Sequence, residues 1–196
     1  MMKAEIRADG LHISGYVNVP GRQSRPVFTP RGKVIETIEQ RAFQRAIEKA
    51  NGINLMLDHE KKIASTTDNT LTVYEDAVGL RAEALVTDAE TIQGAKEGKL
   101  KGWSFNMMNV KDEVEERAGQ LPLRRVKDFD MSEITLVMRK NPVYSSTSLE
   151  VRAGEDAEIE IRAEISDISV EDKTKKPIDY SNFENRIKTL KAGNPA

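Results

Sequence analysis

The sequence predicts a mainly β fold with interposed helices, an α+β domain followed by a tail. Short runs of alternating apolar and polar residues recur along the chain, as in residues 11–19, where the apolar side chains fall on one face. Only two segments within the domain show helical spacing. About seven or eight short consecutive strands of this kind favour an antiparallel barrel or a strongly curled sheet over a parallel α/β sheet.

The composition predicts a solvated surface over an aliphatic core. Of the 196 residues, 32% are charged and 5% are aromatic. A net charge of −2 argues against a nucleic-acid-binding surface, which needs clustered basic groups. The absence of cysteine excludes disulfides and thiolate metal sites. No apolar run approaches the roughly 18 residues of a membrane span, and the first residues lack the apolar core of a secretion signal. We therefore expect a cytoplasmic protein without a membrane or nucleic-acid partner.

In the first third of the chain, the pattern predicts a strand, a loop and a helix. The strand at 11–19 is followed by a polar loop at 22–32. Residues 37–40 match a capping box, because a threonine is followed three residues later by a glutamine. Apolar residues then recur at helical spacing as far as Ala50, and Asn51-Gly52 supplies a left-handed stop.

The middle of the chain is predicted to be mostly β. A polar connection at 61–69 and a charged excursion at 111–119 interrupt the apolar pattern. Asp88 is placed to cap a short helix that Gly98 ends. Two of the strands, 70–74 and 79–86, are predicted to form an antiparallel hairpin. The full set of predicted strands here is 53–57, 70–74, 79–86, 103–110, 123–129 and 133–138.

The composition changes after Arg152. Residues 154–175 contain eight acidic and three basic side chains and few large apolar ones, which predicts a solvated linker. Apolar residues then recur at helical spacing over 181–191 and predict a terminal amphipathic helix. We therefore expect a domain at 1–152, followed by an acidic linker and helix at 153–196.

His59 and Ser104 are the candidate catalytic residues. His59 directly follows an apolar run, and Ser104 lies between two aromatic residues just after a glycine. A serine hydroxyl is a weak nucleophile until a base such as histidine takes its proton. Alternation along the strand turns Ser104 away from the aromatic side. A metal at Asp58-His59-Glu60 is the weaker interpretation, because the chain has one other histidine and no cysteine.

Several short motifs occur here in the order seen in the prohead proteases of tailed bacteriophages, which the chain resembles over about residues 5–152. None of them is specific alone, but their order together is. The motifs are Gly15-Tyr16, the helix containing Phe43, Leu57-Asp58-His59, Gly79-Leu80, GKLKGWSF at 98–105, SEITLV at 132–137 and NPVYSSTSLE at 141–150.

The resemblance implies a capsid-maturation serine protease related in fold to the herpesvirus assemblins. The expected fold is then a closed antiparallel β-barrel of about seven strands flanked by helices. The family's base maps onto His59, its nucleophile onto Ser104 and its acidic residue onto Glu133, with Asp130 and Asp128 as alternatives for the third role. No cofactor or metal is implied.

The resemblance also implies substrates and a place of action. The expected substrates are the major capsid protein or its scaffold segment, and the protease itself, with a homodimer left open. The expected location is the assembling prohead in the bacterial host cytoplasm. Arg124 and Arg125 correspond to paired arginines that position an oxyanion-stabilising loop, although a plain surface role explains them equally well. Trp103 and Asn106 depart from the family pattern, in which small residues are more usual.

Two other functions fit the same sequence. One is a non-catalytic scaffolding or structural protein of the capsid, which would keep the fold and lose one of the three catalytic residues. The other is a general β-barrel binding module, for which the order of His59 and Ser104 is a coincidence. A fluorophosphonate probe distinguishes a protease from both alternatives, because it labels only an activated serine.

Overall fold

The computed structural model describes residues 2–29, 32–139, 160–165, 167–174 and 186–187. These residues are mostly β, with two helices. The helices are α1 (Ala42–Lys49) and α2 (Ala89–Lys96). The strands are β1 (Met2–Arg7), β2 (Gly10–Asn18), β3 (Val27–Thr29), β4 (Gly32–Ile38), β5 (Asn54–Leu57), β6 (Lys61–Ser65), β7 (Leu71–Glu75), β8 (Leu80–Val86), β9 (Gly102–Glu115), β10 (Leu123–Asp130), β11 (Glu133–Val137), β12 (Glu160–Ile165) and β13 (Ile168–Asp172).

The strands form two mixed sheets. The smaller has the order β13-β1-β2-β8-β7, and the larger has the order β3-β4-β10-β9-β11-β5-β6, with β12 also paired to β9. Three pairs are parallel: β1 with β13, β4 with β10, and β5 with β11. Neither sheet closes on itself over the described ranges, so the predicted closed antiparallel barrel is wrong.

The barrel prediction failed because it assumed that consecutive strands pair with one another. The three parallel pairs each join strands that are distant in the sequence, and six strands were not predicted. Those six are β1, β3, β4, β6, β12 and β13. They are rich in charged residues or lie in segments that were taken for loops, so their alternation is weak.

Helix α1 begins later than the capping box predicted. Thr37 and Ile38 belong to β4, and the residue before the helix is Arg41, which has a left-handed φ of 65°. The cap comes from β7 instead: the carboxylate of Glu75 accepts hydrogen bonds from the amides of Arg41 at 2.8 Å and Gln44 at 2.7 Å. A tertiary contact thus replaces the local cap, which sequence spacing could not reveal.

The β7–β8 hairpin and helix α2 match their predictions. β7 and β8 pair antiparallel, from Leu71 opposite Ala84 to Glu75 opposite Leu80. The side chain of Asp88 accepts a hydrogen bond from the Thr91 amide at 3.0 Å, and Gly98 follows the helix with a φ of 68°. These two elements carry the chain to β9.

The core around β9 is aromatic at its centre. Phe43 of α1 contacts Phe105 and Phe129 edge-on, with ring centroids 5.2 and 5.3 Å apart. All three rings are fully buried, as is Trp103. The packing of α1 on this face fixes the side of β9 that carries Trp103 and Phe105, so Ser104 and Asn106 project from the other side.

The chain after residue 159 contributes two strands to the sheets. β12 pairs antiparallel with β9, and β13 pairs in parallel with β1. The solvated-linker interpretation of 154–175 is therefore wrong for these two strands. The boundary predicted after Arg152 lies outside the described residues and stays a prediction. The terminal helix at 181–191 also lies outside them, except for Arg186 and Ile187, which are helical and exposed.

Candidate active site

Strands β9 and β11 place Ser104 and Glu133 on neighbouring positions. The two strands pair antiparallel, with Ser104 opposite Thr135 and Phe105 opposite Ile134. Thr135 and Glu133 are two residues apart on β11, so their side chains share the face on which Ser104 lies. The register of this pair therefore sets the separation between the serine and the carboxylate.

His59 reaches the same face through a strained turn after β5. Asp58 and His59 both have a left-handed backbone, with φ of 50° and 62°. The buried Asp58 carboxylate holds this turn, because it accepts hydrogen bonds from the Met138 amide at 2.7 Å and the Arg139 amide at 3.1 Å. The acidic residue beside the histidine thus ties the end of β5 to the end of β11.

The structure brings His59, Ser104 and Glu133 into one line of contacts. His59 Nδ1 is 2.6 Å from Glu133 Oε1, and His59 Nε2 is 2.8 Å from Ser104 Oγ. Thr135 Oγ1 lies 3.1 Å from the same Nδ1. The side chains of His59 and Glu133 are 7% and 22% exposed. A carboxylate that accepts from Nδ1–H fixes the tautomer in which Nε2 is free to accept the serine proton.

Asn106 positions the chain at the start of β11. Its Oδ1 accepts hydrogen bonds from the amides of Ser132 at 3.2 Å and Glu133 at 3.1 Å. Its Nδ2 donates to Ser132 Oγ at 2.9 Å. Asn106 is buried, and it has a structural role: it holds the backbone of Glu133, the residue that contacts His59.

Strand β12 covers the serine. Ala163 lies opposite Ser104 in the antiparallel register, and the main-chain oxygen of Arg162 is 2.8 Å from Ser104 Oγ. Ser104 has no exposed surface. The hydroxyl has a single proton, and both His59 Nε2 and the Arg162 oxygen lie within hydrogen-bond distance of it. The nucleophile predicted to face outward is therefore enclosed by a segment of the same chain.

A buried cluster of charged groups lies beneath β12. Arg162 donates to both carboxylate oxygens of Glu36, from Nε at 2.8 Å and from Nη2 at 2.7 Å. Arg124 donates to both oxygens of Glu160, at 2.5 and 2.7 Å, and to Asp112 at 2.5 Å. The five side chains are between 2% and 7% exposed. Forked arginine–carboxylate pairs of this kind are the strongest charge-assisted hydrogen bonds in proteins.

The surroundings of these groups favour their charged forms. Burial alone lowers the pKa of Arg124 and of Arg162, but hydrogen bonds and charge from Glu160 and Glu36 outweigh it and raise both pKa values. Burial likewise raises the pKa of Glu160, and the hydrogen bond from Arg124 with the charge of Arg162 reverses the effect and lowers it. β12 is thus held by ionised pairs.

The alternative acidic residues lie elsewhere. Asp128 contacts Lys49 at 2.6 Å, and this ion pair lowers the pKa of Asp128. Asp130 accepts a hydrogen bond from Asn109 at 2.7 Å and lies 3.5 Å from Lys49. Glu133 is the carboxylate that contacts His59.

The paired arginines separate into two environments. Arg125 is exposed and donates to Glu115 at 3.0 Å, which agrees with a plain surface role. Arg124 lies in the buried cluster under β12. In the described part of the chain, no group of three or more His, Asp or Glu side chains has a metal-binding arrangement. No helix there is long and apolar enough to cross a membrane.

Sequence reasoning missed four residues that build this site. Thr135 and Asp58 adjoin predicted residues, and Asn106 was noticed only as a departure from the family pattern. Arg162 lies in a segment that charge composition assigned to a linker. The sequence feature that indicates a strand there is Glu160-Ile161-Arg162, because alternating charged and apolar residues are typical of a strand with one buried face.

Comparison with known proteins identifies the family of the chain. The family model of the caudovirus prohead serine proteases matches residues 1–160. Searches of curated proteins and of solved structures gave no significant match. The matched region covers most of the chain and contains all three residues of the contact line. The chain therefore belongs to the caudovirus prohead serine protease family and is a serine peptidase.

Proposed function

We propose that the chain is an endopeptidase in which Ser104 is the nucleophile, His59 the general base and Glu133 the carboxylate that orients the base. The observation that supports these roles is the unbroken line of contacts from Glu133 Oε1 through both ring nitrogens of His59 to Ser104 Oγ. Both distances lie within hydrogen-bond reach, as a nucleophile and its base require. Burial of the imidazole makes the adjacent carboxylate more effective, because water screens the pair less.

The geometry supports acyl transfer in two stages. Ser104 Oγ attacks the carbonyl carbon of the substrate while His59 Nε2 takes the hydroxyl proton, and Glu133 stabilises the imidazolium that forms. The carbon–nitrogen bond then breaks, and His59 returns the proton to the leaving amine. A water molecule, activated by the same imidazole, hydrolyses the acyl-enzyme and restores the serine.

Family membership implies capsid proteins as substrates and action inside the assembling capsid in the host. We propose more specifically that the protease cleaves the major capsid protein or its scaffold segment, and that it processes itself. A homodimer belongs to the same proposal. A non-catalytic scaffolding role fits less well, because such a protein would have no need of the His59 to Ser104 contact.

Co-expression with the capsid protein, followed by mass spectrometry of the products, tests this function. We expect discrete capsid and protease fragments with the full chain and none with Ser104→Ala or His59→Ala, both of which should remain folded. The double variant should lose no more than either single one, because the residues act as a unit. Normal capsid cleavage by folded Ser104→Ala would contradict the proposal.

A further inference from the structure

Strand β12 has the position that a bound substrate strand needs. It pairs with β9 through Ser104, and the oxygen of one of its own peptide bonds lies 2.8 Å from the serine Oγ. A carbonyl bond is about 1.2 Å long, which places the Arg162 carbonyl carbon within about 4.0 Å of that oxygen. The peptide bond of β12 whose oxygen contacts the nucleophile is the one between Arg162 and Ala163.

Two side chains of β12, those of Glu160 and Arg162, are matched by charged groups beneath the strand. Glu160 and Arg162 lie on the same face of the strand, two residues apart. Arg162 forms a fork with Glu36, and Glu160 forms a fork with Arg124. Glu36 and Arg124 are themselves partners in the parallel β4–β10 register. Glu36, Arg124 and Asp112 form the floor of a groove beneath β12. This floor offers the Glu36 carboxylate and the Arg124 guanidinium at a spacing that fits an extended Glu-X-Arg sequence.

This floor remains charged when β12 leaves. Glu36 would then lose its forked partner Arg162 and keep its single contact with Arg124. Burying ionised side chains is costly unless each is paired, so a strand with a purely apolar face would be a poor substitute. The vacated groove therefore favours a ligand that brings an arginine to Glu36.

The family match ends where this strand begins. Its last matched residue is Glu160, so nearly all of β12 lies beyond the matched region. The serine is completely buried with β12 in place, and no external substrate can reach it in this arrangement. The strand thus occupies the site in place of a substrate.

We infer that the groove formed by Glu36, Arg124 and Asp112 is the specificity site of the protease, that it selects peptides of sequence Glu-X-Arg cleaved after the arginine, and that β12 is its occupant within the same chain. This rests on the proposed roles of Ser104 and His59. In such a peptide Ser104 Oγ bonds to the arginine carbonyl carbon, and the bond from that carbon to the next nitrogen breaks. His59 carries the proton from the hydroxyl to the leaving amine, and water then releases the arginine carboxylate.

The first arm of the test measures access to the serine. The full chain and the Arg162→Ala variant are exposed to a fluorophosphonate probe, and adducts on Ser104 are counted by mass spectrometry. Arg162→Ala should label at least about tenfold faster, since a tenfold change needs only a modest loss of docking free energy. Arg7→Ala is the matched control, because the exposed Arg7 donates from two nitrogens to one carboxylate oxygen of Glu5, and it should label like the unchanged chain.

Arg162→Lys keeps the charge and loses the fork, so it should label at an intermediate rate. It also serves if Arg162→Ala fails to fold, as judged by circular dichroism. Equal labelling of folded Arg162 variants and the unchanged chain would overturn the inference while leaving the proposed nucleophile intact. No adduct on Ser104 in any folded variant would instead contradict the proposed function.

The second arm measures selectivity with capped peptides of sequence Glu-Ile-Arg-Ala-Glu-Ile, which is that of residues 160–165. The Arg162→Ala chain should cleave this peptide after the arginine. It should cleave a peptide with glutamine in that position at least about a hundredfold more slowly, because Glu36 then loses its forked arginine partner. Glu36→Gln should remove most of that preference. Equal cleavage of the two peptides by the Arg162→Ala chain would overturn the assignment of the groove.

Discussion

Replacing Asn106 by alanine tests whether the start of β11 must be held for the site to work. The change removes the acceptor of the Ser132 and Glu133 amides, at 3.2 and 3.1 Å, and the donor to Ser132 Oγ at 2.9 Å. Each of the three lost hydrogen bonds costs about 1 kcal/mol, and their common member Asn106 is buried. We therefore expect Asn106→Ala to lower the free energy of unfolding by about 2–4 kcal/mol.

The same change should slow the chemistry by more than the loss of stability explains. Without its backbone contacts, Glu133 can shift from its position 2.6 Å from His59 Nδ1. A displacement of about 1 Å at a catalytic group costs roughly a hundredfold in rate. The assay is the rate of fluorophosphonate labelling of Ser104 at a temperature well below the measured melting point.

Asn109→Gly is the matched control, because Asn109 lies on the same strand, is exposed and contacts Asp130 rather than β11. Its φ of 51° is left-handed, a conformation that glycine adopts without strain. The control should change neither stability nor labelling by much. The reasoning would be refuted if folded Asn106→Ala labelled at the rate of the unchanged chain, or if both asparagine variants slowed labelling equally.

Three further predictions follow from the same contacts. Glu133→Gln should slow labelling by about 10²–10⁴-fold with little change in melting temperature, because an amide cannot stabilise the imidazolium; an unchanged rate would exclude Glu133. Asp58→Ala should lower the free energy of unfolding in urea by about 2–4 kcal/mol, since it unpairs the Met138 and Arg139 amides. A smaller loss than that caused by replacing an exposed aspartate would contradict the role of Asp58 in holding the turn. Glu160 has a lowered pKa among Arg124, Arg162, Glu36 and Asp112. The stabilisation of the fold by ionised Glu160 should therefore be complete above the ordinary pKa of a glutamate and be lost as pH falls through the lowered pKa. Glu160→Gln should flatten this pH dependence of the free energy of unfolding in urea.

The sequence was sufficient for the elements that local chemistry determines, and it named the candidate catalytic residues, whose roles stay a prediction. Asp88 caps α2 through its own side chain, and the β7–β8 hairpin pairs neighbouring segments. His59, Ser104 and Glu133 were named from their flanking residues and from family resemblance. The contacts among them were not predictable, because 45 and 74 residues separate His59 from its two partners.

The sequence was insufficient wherever a distant group replaces a local one. Glu75 of β7 caps α1, so the N-cap is Arg41 and not Thr37, the first residue of the predicted capping box. The parallel pairs of β4 with β10 and β5 with β11 join segments that no local pattern connects. β12 was missed because its charges suggested solvent, whereas Glu160 and Arg162 are each matched by a buried opposite charge. Composition measures charge, but it cannot show whether that charge is paired.

Mapping the fluorophosphonate adduct tests the central claim most directly. After prolonged exposure of the full chain, peptide mass spectrometry should find the adduct on Ser104, and folded His59→Ala should carry none at that position. The line of contacts from Glu133 to Ser104 predicts this result, because the hydroxyl is nucleophilic only while His59 accepts its proton. An adduct on another serine, or undiminished labelling of Ser104 in His59→Ala, would contradict the account.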